Sequence, residues 1–262
     1  MTIPNDLMLR QDEGGGIVRL TLNRPDARNA LSLEMMRQFM AHLESMAHDD
    51  KVRVVILSGN GPAFCSGHDL KELRADPTPA YYSKVFALVT RIMIALTELP
   101  RPVIAEVHGI ATAAGCQLVA TADLAIAAAD ARFATPGVNI GLFCSTPMVA
   151  LSRSVASKHA MEMLLTGDMI DAQEAARIGL VNRVVPPSEL SAATMALARK
   201  IASKSIYTMK TGKGAFYRQL EMDLKHAYDY AAHIMTENMQ AMDAAEGIDA
   251  FLQKRHPAWQ DC

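Results

Sequence analysis

Short apolar runs alternate with helical patterns through the first two thirds of this 262-residue chain. Residues 52–57 (VRVVIL), 102–107 (PVIAEV) and 124–128 (LAIAA) are each the length of one buried strand. Helical patterns fill the intervals between them, most clearly over residues 82–99. Strand–helix–strand alternation at this spacing requires crossover connections, which join parallel strands. The sequence therefore predicts an α/β fold with a largely parallel sheet.

The two ends of the chain differ from this alternating part. Residues 7–10 and 17–22 form two strand patterns around three consecutive glycines, which predicts a hairpin. After about residue 147 the strand patterns nearly stop, apart from residues 180–185, and four helical patterns follow, over residues 188–201, 205–217, 220–235 and 239–251. We expect an α/β core over residues 1–195. A helical region over residues 196–262 is then expected to pack on the core or on a neighbouring subunit.

Charge and cysteine content exclude several classes of protein. Lys and Arg number 26 and Asp and Glu 28, so the formal charge is 26 − 28 = −2, which argues against a nucleic-acid partner. We expect no membrane span, no secretory signal and no transit peptide. The four cysteines form no CxxC pair and no zinc-ligand spacing with histidine. These features predict a protein without a metal in a reducing, cytoplasmic compartment.

Two turns of small residues each connect a strand to a helix. The first covers residues 61–70 (GPAFCSGHDL) and the second residues 108–118 (HGIATAAGCQL). Such a turn leaves backbone N–H groups without partners at a helix N-terminus, where negative charge is favoured. Two turns on neighbouring crossovers can direct two N–H donors at one oxygen, as in an oxyanion hole. Either turn alone also fits a purely structural role.

With residues 23–31 (NRPDARNAL) and 133–147 (FATPGVNIGLFCSTP), these turns resemble the crotonase, or enoyl-CoA hydratase/isomerase, superfamily along nearly the whole chain. Within it, the pattern is most similar to the enoyl-CoA hydratase domain-containing subgroup. The resemblance implies a spiral of ββα repeats, a homotrimer or dimer of trimers, and a coenzyme A thioester of fatty acid metabolism as ligand, with no permanently bound cofactor. It also implies that the backbone amides of His68 and Ala114 form the oxyanion hole.

The same resemblance assigns residues to the coenzyme A moiety. Arg28 and Ala30 would lie along it. So would four consecutive residues at the end of the first turn, His68, Asp69, Leu70 and Lys71. Two residues of the helical region, Phe251 and Lys254, correspond to those that reach the adenine and 3′-phosphate end, often in an adjacent subunit.

The chain departs from the family at both proton-transfer positions. Ordinary hydratases carry two glutamates, one that takes a proton from water and one that delivers a proton to the α-carbon. Gln117 and Gly137 stand at these positions. A glutamine can donate and accept hydrogen bonds but cannot shuttle protons, and a glycine offers no group at all. The sequence therefore predicts an acyl-CoA site whose ordinary hydratase chemistry is impaired.

Four other residues lie close enough in the pattern to be considered as replacements for the glutamates. Ser145 lies where some family members place a carboxylate, but an unassisted serine is a poor base. The His68 imidazole has a suitable intrinsic pKa, although a position along the coenzyme A is the simpler interpretation. Cys144 fits an inert buried thiol, and Asp69 fits a helix cap.

Three functions remain open from the sequence. The leading one is an acyl-CoA enzyme, a lyase or isomerase of the enoyl-CoA hydratase/isomerase type. The second is a non-catalytic acyl-CoA-binding or assembly protein, suggested by the missing glutamates. The third is a serine hydrolase using Ser66, which lies two positions from His68 but in no GxSxG motif.

Overall fold

The computed structural model describes residues 6–262, which begin with the predicted hairpin. β1 (Met8–Asp12) pairs antiparallel with β2 (Ile17–Leu22). The remaining strands are β3 (Val54–Gly59), β4 (Val103–Val107), β5 (Ile110–Thr112), β6 (Leu124–Ala128), β7 (Arg132–Ala134), β8 (Ile170–Asp171) and β9 (Arg183–Val185).

The strands form two sheets. The larger has the order β1-β2-β3-β4-β6-β9, and every pair after the hairpin is parallel. The smaller has the order β5-β7-β8. The predicted α/β class is confirmed. The smaller sheet escaped sequence analysis because its strands, of two or three residues, are too short to show a period.

Eleven α-helices occur within residues 6–262. They are α1 (Leu33–Ala47), α2 (Leu70–Ala75), α3 (Pro79–Glu98), α4 (Ala114–Thr121), α5 (Ser145–Ser154), α6 (Ser157–Thr166), α7 (Ala172–Arg177), α8 (Leu190–Ala202), α9 (Ile206–Gln219), α10 (Leu224–Met239) and α11 (Met242–Leu252). Ser32 caps α1 as predicted, since its side chain accepts from the N–H of Met35. The helix predicted over residues 220–235 starts later, because Asp223 caps α10 by accepting from the N–H of His226.

Alternation along the strands divides the core between the two faces of the larger sheet. In β3, Val55 and Leu57 pack into the main core with α1, α3 and α4, whereas Val54 and Ile56 face the other way. α8 covers that second face, with Ala198 fully buried against it. Parallel strands covered on both faces are nearly continuous in apolar residues, which is why these runs could be recognised in the sequence.

α3 is the one helix of the described chain that is long and apolar enough, by length and composition, to cross a membrane. Its buried stripe packs in the core, and the members of that stripe are Val85, Val89, Ile92, Met93 and Leu96.

A half-buried polar network connects the helical region to the core. Lys213 on α9 donates to the carbonyls of Leu96 and Arg101 and to the Oδ2 of Asp123, at 2.7 to 3.0 Å. Tyr217, one turn later, donates to the Oδ1 of the same carboxylate at 2.8 Å. The predicted division after residue 195 falls inside α8, which packs on the sheet. The division into an α/β core and a separate helical region therefore stays a prediction. α9 is the first helix after α8 that does not pack on the larger sheet.

The end of the chain is anchored at the amino end of the parallel strands. Asp261 forms an ion pair with Arg53, immediately before β3, and also accepts from the N–H of Ile206. The indole N–H of Trp259 donates to the carbonyl of Ser203 at 2.8 Å. The two small-residue turns follow β3 and β4, at the opposite, carboxyl edge of the sheet.

Candidate acyl-CoA site

Backbone pairing holds the first small-residue turn between two other segments. On one side, Leu31 donates to the carbonyl of Gly67 at 2.7 Å, and Asp69 donates to the carbonyl of Leu31 at 3.2 Å. On the other side, Cys65 donates to the carbonyl of Ile110 at 3.1 Å, and Thr112 donates to the carbonyl of Cys65 at 2.9 Å. Main-chain hydrogen bonds therefore hold this turn on both sides.

The second turn approaches the first so closely that no side chain fits at Gly115. A Cβ atom there would lie 2.1 Å from the carbonyl oxygen of Cys65. Two positions before Gly115, Ala113 has φ 50° and ψ −116°, a conformation that costs an L-residue about 1 to 3 kcal/mol. This strained residue directs the next peptide bond and starts α4 at Ala114. Sequence analysis did not detect the strain, because alanine gives no sign of a positive φ.

Two backbone N–H groups are left free where the turns meet. Within residues 6–262, no group accepts from the N–H of His68 or of Ala114. A Cβ atom on Gly67 would lie 3.4 Å from the nitrogen of Ala114, so the two turns are in contact beside these donors. The N–H of Ala114 also belongs to the first residue of α4, where the helix dipole favours negative charge. The two N–H groups can donate to one carbonyl oxygen and stabilise the negative charge that it gains.

Asn29 holds the segment of residues 24–31 against the first turn. It is fully buried, donates from Nδ2 to the carbonyls of Asn60 and Ala63 at 2.9 and 2.7 Å, and accepts from the N–H of Arg24 at 2.8 Å. Its backbone has φ 54°, which asparagine tolerates better than most residues. Asn29 belongs to the segment 23–31 that resembles the family, but the sequence does not predict this structural role, because nothing in the segment indicates which carbonyls the side chain binds.

Replacing Asn29 with alanine is expected to lower the free energy of unfolding by about 1 to 3 kcal/mol, because the carbonyls of Asn60 and Ala63 and the N–H of Arg24 lose their partner. Urea denaturation measures the change. Asn23→Ala, which removes contacts near the surface to Asp6 and Asn60, is the matched control and should cost less. Equal effects of the two changes would contradict the role given to Asn29.

His68 is half-buried, and its imidazole points into the protein rather than along the surface. Both ring nitrogens are shielded from solvent and lack a partner within the described chain, and the ring meets Phe86 of α3 edge to face at 5.4 Å. Burial lowers the pKa of His68 from its ordinary value of 6.5 to about 4. The imidazole is therefore neutral at physiological pH and can both donate and accept a hydrogen bond.

This low pKa predicts a pH-dependent stability. The unfolded chain takes up a proton at His68 near pH 6.5, and the folded chain does so only near pH 4. The part of the free energy of unfolding that depends on a neutral His68 is therefore fully present above pH 6.5 and is lost as the pH falls from 6.5 to 4. At 1.36 kcal/mol per unit, the loss is about 3 kcal/mol. Between pH 7 and pH 4, the free energy of unfolding should fall less in His68→Phe than in the unchanged protein, and the difference should be about 3 kcal/mol. Parallel pH profiles would contradict the burial of the ring.

The two positions of the family's glutamates have different surroundings. Gln117 is 4% exposed on α4, one turn after Ala114, and its Oε1 has no partner within residues 6–262. Gly137 lies in the helical turn Pro136–Ile140, where a Cβ atom would come within 2.5 Å of the carbonyl oxygen of Leu142 and 2.9 Å of the Cys144 sulfur. Gln117 thus keeps a side chain near the free amides, whereas the loop is packed too tightly at Gly137 for any side chain.

The other candidate groups have local partners. The Ser145 hydroxyl is exposed at the start of α5 and donates to the carbonyl of Phe143 at 3.3 Å. The Ser66 hydroxyl donates to the carbonyl of Ala27 at 3.5 Å and not to His68, so no serine–histidine pair forms. Cys144 is buried and its pKa is raised by that burial, as for an inert thiol. Within the described residues, no three His, Cys, Asp or Glu side chains come together as for a metal.

Asp69 caps α2, as the simpler interpretation of the sequence predicted. Its Oδ1 accepts from the N–H groups of Lys71 and Glu72, and its Oδ2 accepts from Arg24 at 2.6 Å. Burial raises the pKa of Asp69, but Arg24 and the two N–H donors outweigh burial, so the pKa is lowered. The carboxylate therefore stabilises the first turn and is not free for proton transfer.

The remaining residues assigned to coenzyme A fall into two groups. Next to the free amides, Arg28, Leu70 and Lys71 are exposed, and Ala30 is buried behind them. Arg28 forms no ion pair within the described chain, and its carbonyl accepts from the N–H of Ser66. In the helical region, Phe251 is 82% exposed at the end of α11, and Lys254 follows with φ 55°.

Comparison with known proteins identifies the relatives of this chain. The family model described as enoyl-CoA hydratase/isomerase matches residues 12–262. The human enoyl-CoA hydratase domain-containing protein 3, mitochondrial, is 49% identical over 93% of this chain and 80% of its own length. A crystal structure of an enoyl-CoA hydratase from Mycobacterium smegmatis is 52% identical with a TM-score of 0.95, covering 97% of this chain and 98% of that one. The crystal structure of the human domain-containing protein 3 has a TM-score of 0.94 at 47% identity, over 97% and 100% of the two chains.

These relatives confirm the resemblance and correct one prediction. The relatives from human and other vertebrates are named as mitochondrial proteins, so the expectation of a cytoplasmic location was wrong. It rested on unpaired cysteines and on the residues at the start of the sequence. Free thiols indicate only a reducing environment, and the cytoplasm is not the only compartment of that kind.

Proposed function

Because this chain belongs to the enoyl-CoA hydratase/isomerase family, we propose that it binds acyl-CoA thioesters and polarises their carbonyl with the backbone amides of His68 and Ala114. One observation carries the proposal: two N–H groups without partners lie where the contacting turns leave room for no side chain. A thioester carbonyl placed there becomes more electrophilic, and the negative charge of an enolate formed from it is stabilised.

The coenzyme A would follow the exposed edge beside the first turn. Arg28 and Lys71 supply positive charge for its phosphates, while Ala30, Asp69 and Leu70 form the wall. Phe251 and Lys254 would meet the adenine end from a neighbouring subunit, because the tail of the same chain is anchored at the opposite edge of the sheet through Asp261. A homotrimer or dimer of trimers is part of this proposal.

We propose that the protein is an enzyme of the hydratase/isomerase type with weak crotonyl-CoA hydration. A proton-transferring side chain contributes typically about 10² to 10⁴ in rate, and neither family glutamate is present. Ser145 does not replace them, since no base contacts its hydroxyl within the described chain. The second candidate, a non-catalytic acyl-CoA-binding or assembly protein, is favoured by the tight packing around Gly137, which leaves no space for a catalytic group.

A side-by-side assay tests this proposal. We expect the purified protein to bind butyryl-CoA in a calorimetric titration, and to hydrate crotonyl-CoA at least about 10²-fold more slowly than a family member with both glutamates. Binding without turnover of any thioester would favour the non-catalytic candidate. Hydration at the ordinary rate would contradict the impaired chemistry, and absence of binding would contradict the proposed function as a whole.

A further inference from the structure

The last residues of the chain fold back along α11. Residues 255–262, which we call the strap, run antiparallel to this helix from its last turn to its first. Beside the last turn, the N–H of Arg255 donates to the carbonyl of Ala250 at 3.0 Å. Beside the first turn, the N–H of Asp243 donates to the carbonyl of Cys262 at 3.1 Å. Main-chain hydrogen bonds therefore join the strap to both ends of α11.

Between these ends, a carboxylate in the middle of α11 holds the strap. Glu246 accepts from two nitrogens of the Arg255 guanidinium, at 2.6 and 2.8 Å, and from the N–H of Ala258 at 2.7 Å. These donors lower the pKa of Glu246 to about 2, so its carboxylate is ionised at physiological pH. A bidentate arginine–carboxylate pair of this kind fixes direction as well as distance.

A second carboxylate and a glycine hold the rest of the strap on the same face of α11. Asp243 is 2% exposed and accepts from the N–H groups of Gln260 and Asp261, at 2.7 and 3.0 Å. Gly247, four residues later and therefore on the same face, lies under Trp259, since a Cβ atom on it would be 3.2 Å from the indole ring. Glycine is unfavourable inside a helix, and this contact gives the reason for its position.

Packing within one subunit does little else to orient α11. In the described chain, α9 and α10 contain no buried residue and α11 contains two. The strap connects α11 to the core at two points: Asp261 pairs with Arg53 at 2.9 Å, and the indole N–H of Trp259 donates to the carbonyl of Ser203 at 2.8 Å. The orientation of α11 relative to the sheet therefore depends on the strap.

Lys254 lies at the turn where α11 ends and the strap begins. Its φ of 55° is a left-handed conformation that favours glycine at the end of a helix. Glu246 neutralises the next residue, Arg255, whereas Lys254 has no carboxylate partner within residues 6–262. An exposed cation in a strained conformation, one turn after the exposed ring of Phe251, is free to contact a group outside its own chain.

From these contacts we propose that the strap positions the nucleotide-binding end of α11. Asp243 and Glu246 are positioning residues: they hold the helix where Phe251 and Lys254 reach coenzyme A bound to a neighbouring subunit. This role rests on the proposed acyl-CoA function and adds residues that touch no ligand. Release of the strap weakens binding of the nucleotide and not of the acyl and pantetheine parts, because those parts lie against the small-residue turns of the other subunit.

Calorimetric titration of the full-length protein with butyryl-CoA and with butyryl-pantetheine, which lacks the nucleotide, tests this role. We expect the unchanged protein to bind butyryl-CoA more tightly. Glu246→Ala should reduce that preference about tenfold and leave the affinity for butyryl-pantetheine within about twofold. Glu174→Ala is the matched control, because it removes a bidentate pair with Arg177, at 2.6 Å, from α7. It should retain the full preference.

A second comparison shows whether the strap acts through the end of α11. In a chain that already carries Phe251→Ala and Lys254→Ala, the preference for butyryl-CoA should be reduced, and Glu246→Ala should reduce it no further. Thermal melting shows that each variant is folded before it is titrated. If Glu246→Ala does not fold, Glu246→Gln replaces it, since the amide oxygen still accepts from the N–H of Ala258 and only the ion pair is lost.

Four results would overturn the positioning role and leave the proposed function standing. They are equal affinities of the unchanged protein for the two ligands, a full preference in the Glu246 variant, equal weakening of both ligands in that variant, and a further loss of preference on the Phe251→Ala, Lys254→Ala background. Sedimentation of the Glu246 variant as a smaller species than the unchanged protein would also overturn it, because assembly would then be the cause. Failure of the unchanged protein to bind butyryl-CoA would instead refute the proposed acyl-CoA function.

Discussion

Replacing Gln117 with glutamate is expected to raise the rate of crotonyl-CoA hydration by about 10² to 10⁴-fold. The new carboxylate would occupy a buried position one turn from the free N–H of Ala114, where it could take a proton from water or give one to the α-carbon. Burial raises the pKa of a carboxyl group, which brings it closer to neutral pH and makes it a better proton carrier. Initial rates of loss of the enoyl thioester absorbance measure the gain.

Gly137→Glu is the informative counterpart of this change. It introduces the same group at the family's other glutamate position, but its Cβ atom alone would lie 2.5 Å from the carbonyl oxygen of Leu142. We expect a less stable protein and no comparable gain in rate. A larger gain from Gly137→Glu than from Gln117→Glu would contradict the geometry described for both positions. No gain from Gln117→Glu in a folded protein would mean that this side chain does not reach the reacting atoms.

The second large effect concerns the backbone itself. Replacing Ala114 with lactic acid converts its N–H to an ester oxygen and leaves the side chain unchanged. Loss of one oxyanion-hole donor typically costs about 10² to 10³ in rate, and we expect that loss in crotonyl-CoA hydration. The Gln117→Glu background supplies the higher rate needed to measure it. Stability should fall by no more than about 1 kcal/mol, because this N–H has no partner in the folded chain and only the hydrogen bond from the N–H of Gln117 to the Ala113 carbonyl, now an ester carbonyl, is weakened.

A matched ester separates polarisation from damage to the helix. Leu118 donates within α4, so its replacement by the corresponding hydroxy acid removes a hydrogen bond of the helix and no free donor. The rate should then stay within about tenfold, although unfolding becomes easier by about 1 kcal/mol. Equal losses of rate from the two esters would show that α4, and not the N–H of Ala114, is responsible.

The sequence predicts those parts of the site that depend on the backbone. A buried strand followed by small residues and a helix start is visible at residues 61–70 and again at residues 108–118. The first turn occurs as predicted, whereas the second contains the short strand β5 before α4 begins at Ala114. Parallel pairing then determines that both turns lie at one edge of the sheet. The capping role of Asp69 was predictable for the same reason, since a helix start requires an acceptor for its free N–H groups.

The parts that escaped prediction depend on contacts between distant segments. Asn29 binds the carbonyl of Ala63, 34 positions away, and nothing near it in the sequence marks this contact. The absence of space at Gly137 arises from the path of the chain through Leu142 and Cys144. The burial of the His68 ring depends on Phe86 of α3. Side-chain environments of this kind follow from tertiary packing, whereas spacing along the chain predicts only local structure.

The carbonyl stretching frequency of a bound thioester tests the central claim most directly, because it reports polarisation whether or not turnover follows. Butyryl-CoA labelled with carbon-13 at the carbonyl allows that band to be isolated by infrared difference spectroscopy. Binding to the amides of His68 and Ala114 is predicted to shift the band below its position in water, and the lactic acid replacement of Ala114 is predicted to reverse much of the shift. A bound thioester whose carbonyl frequency equals that in water would contradict the account.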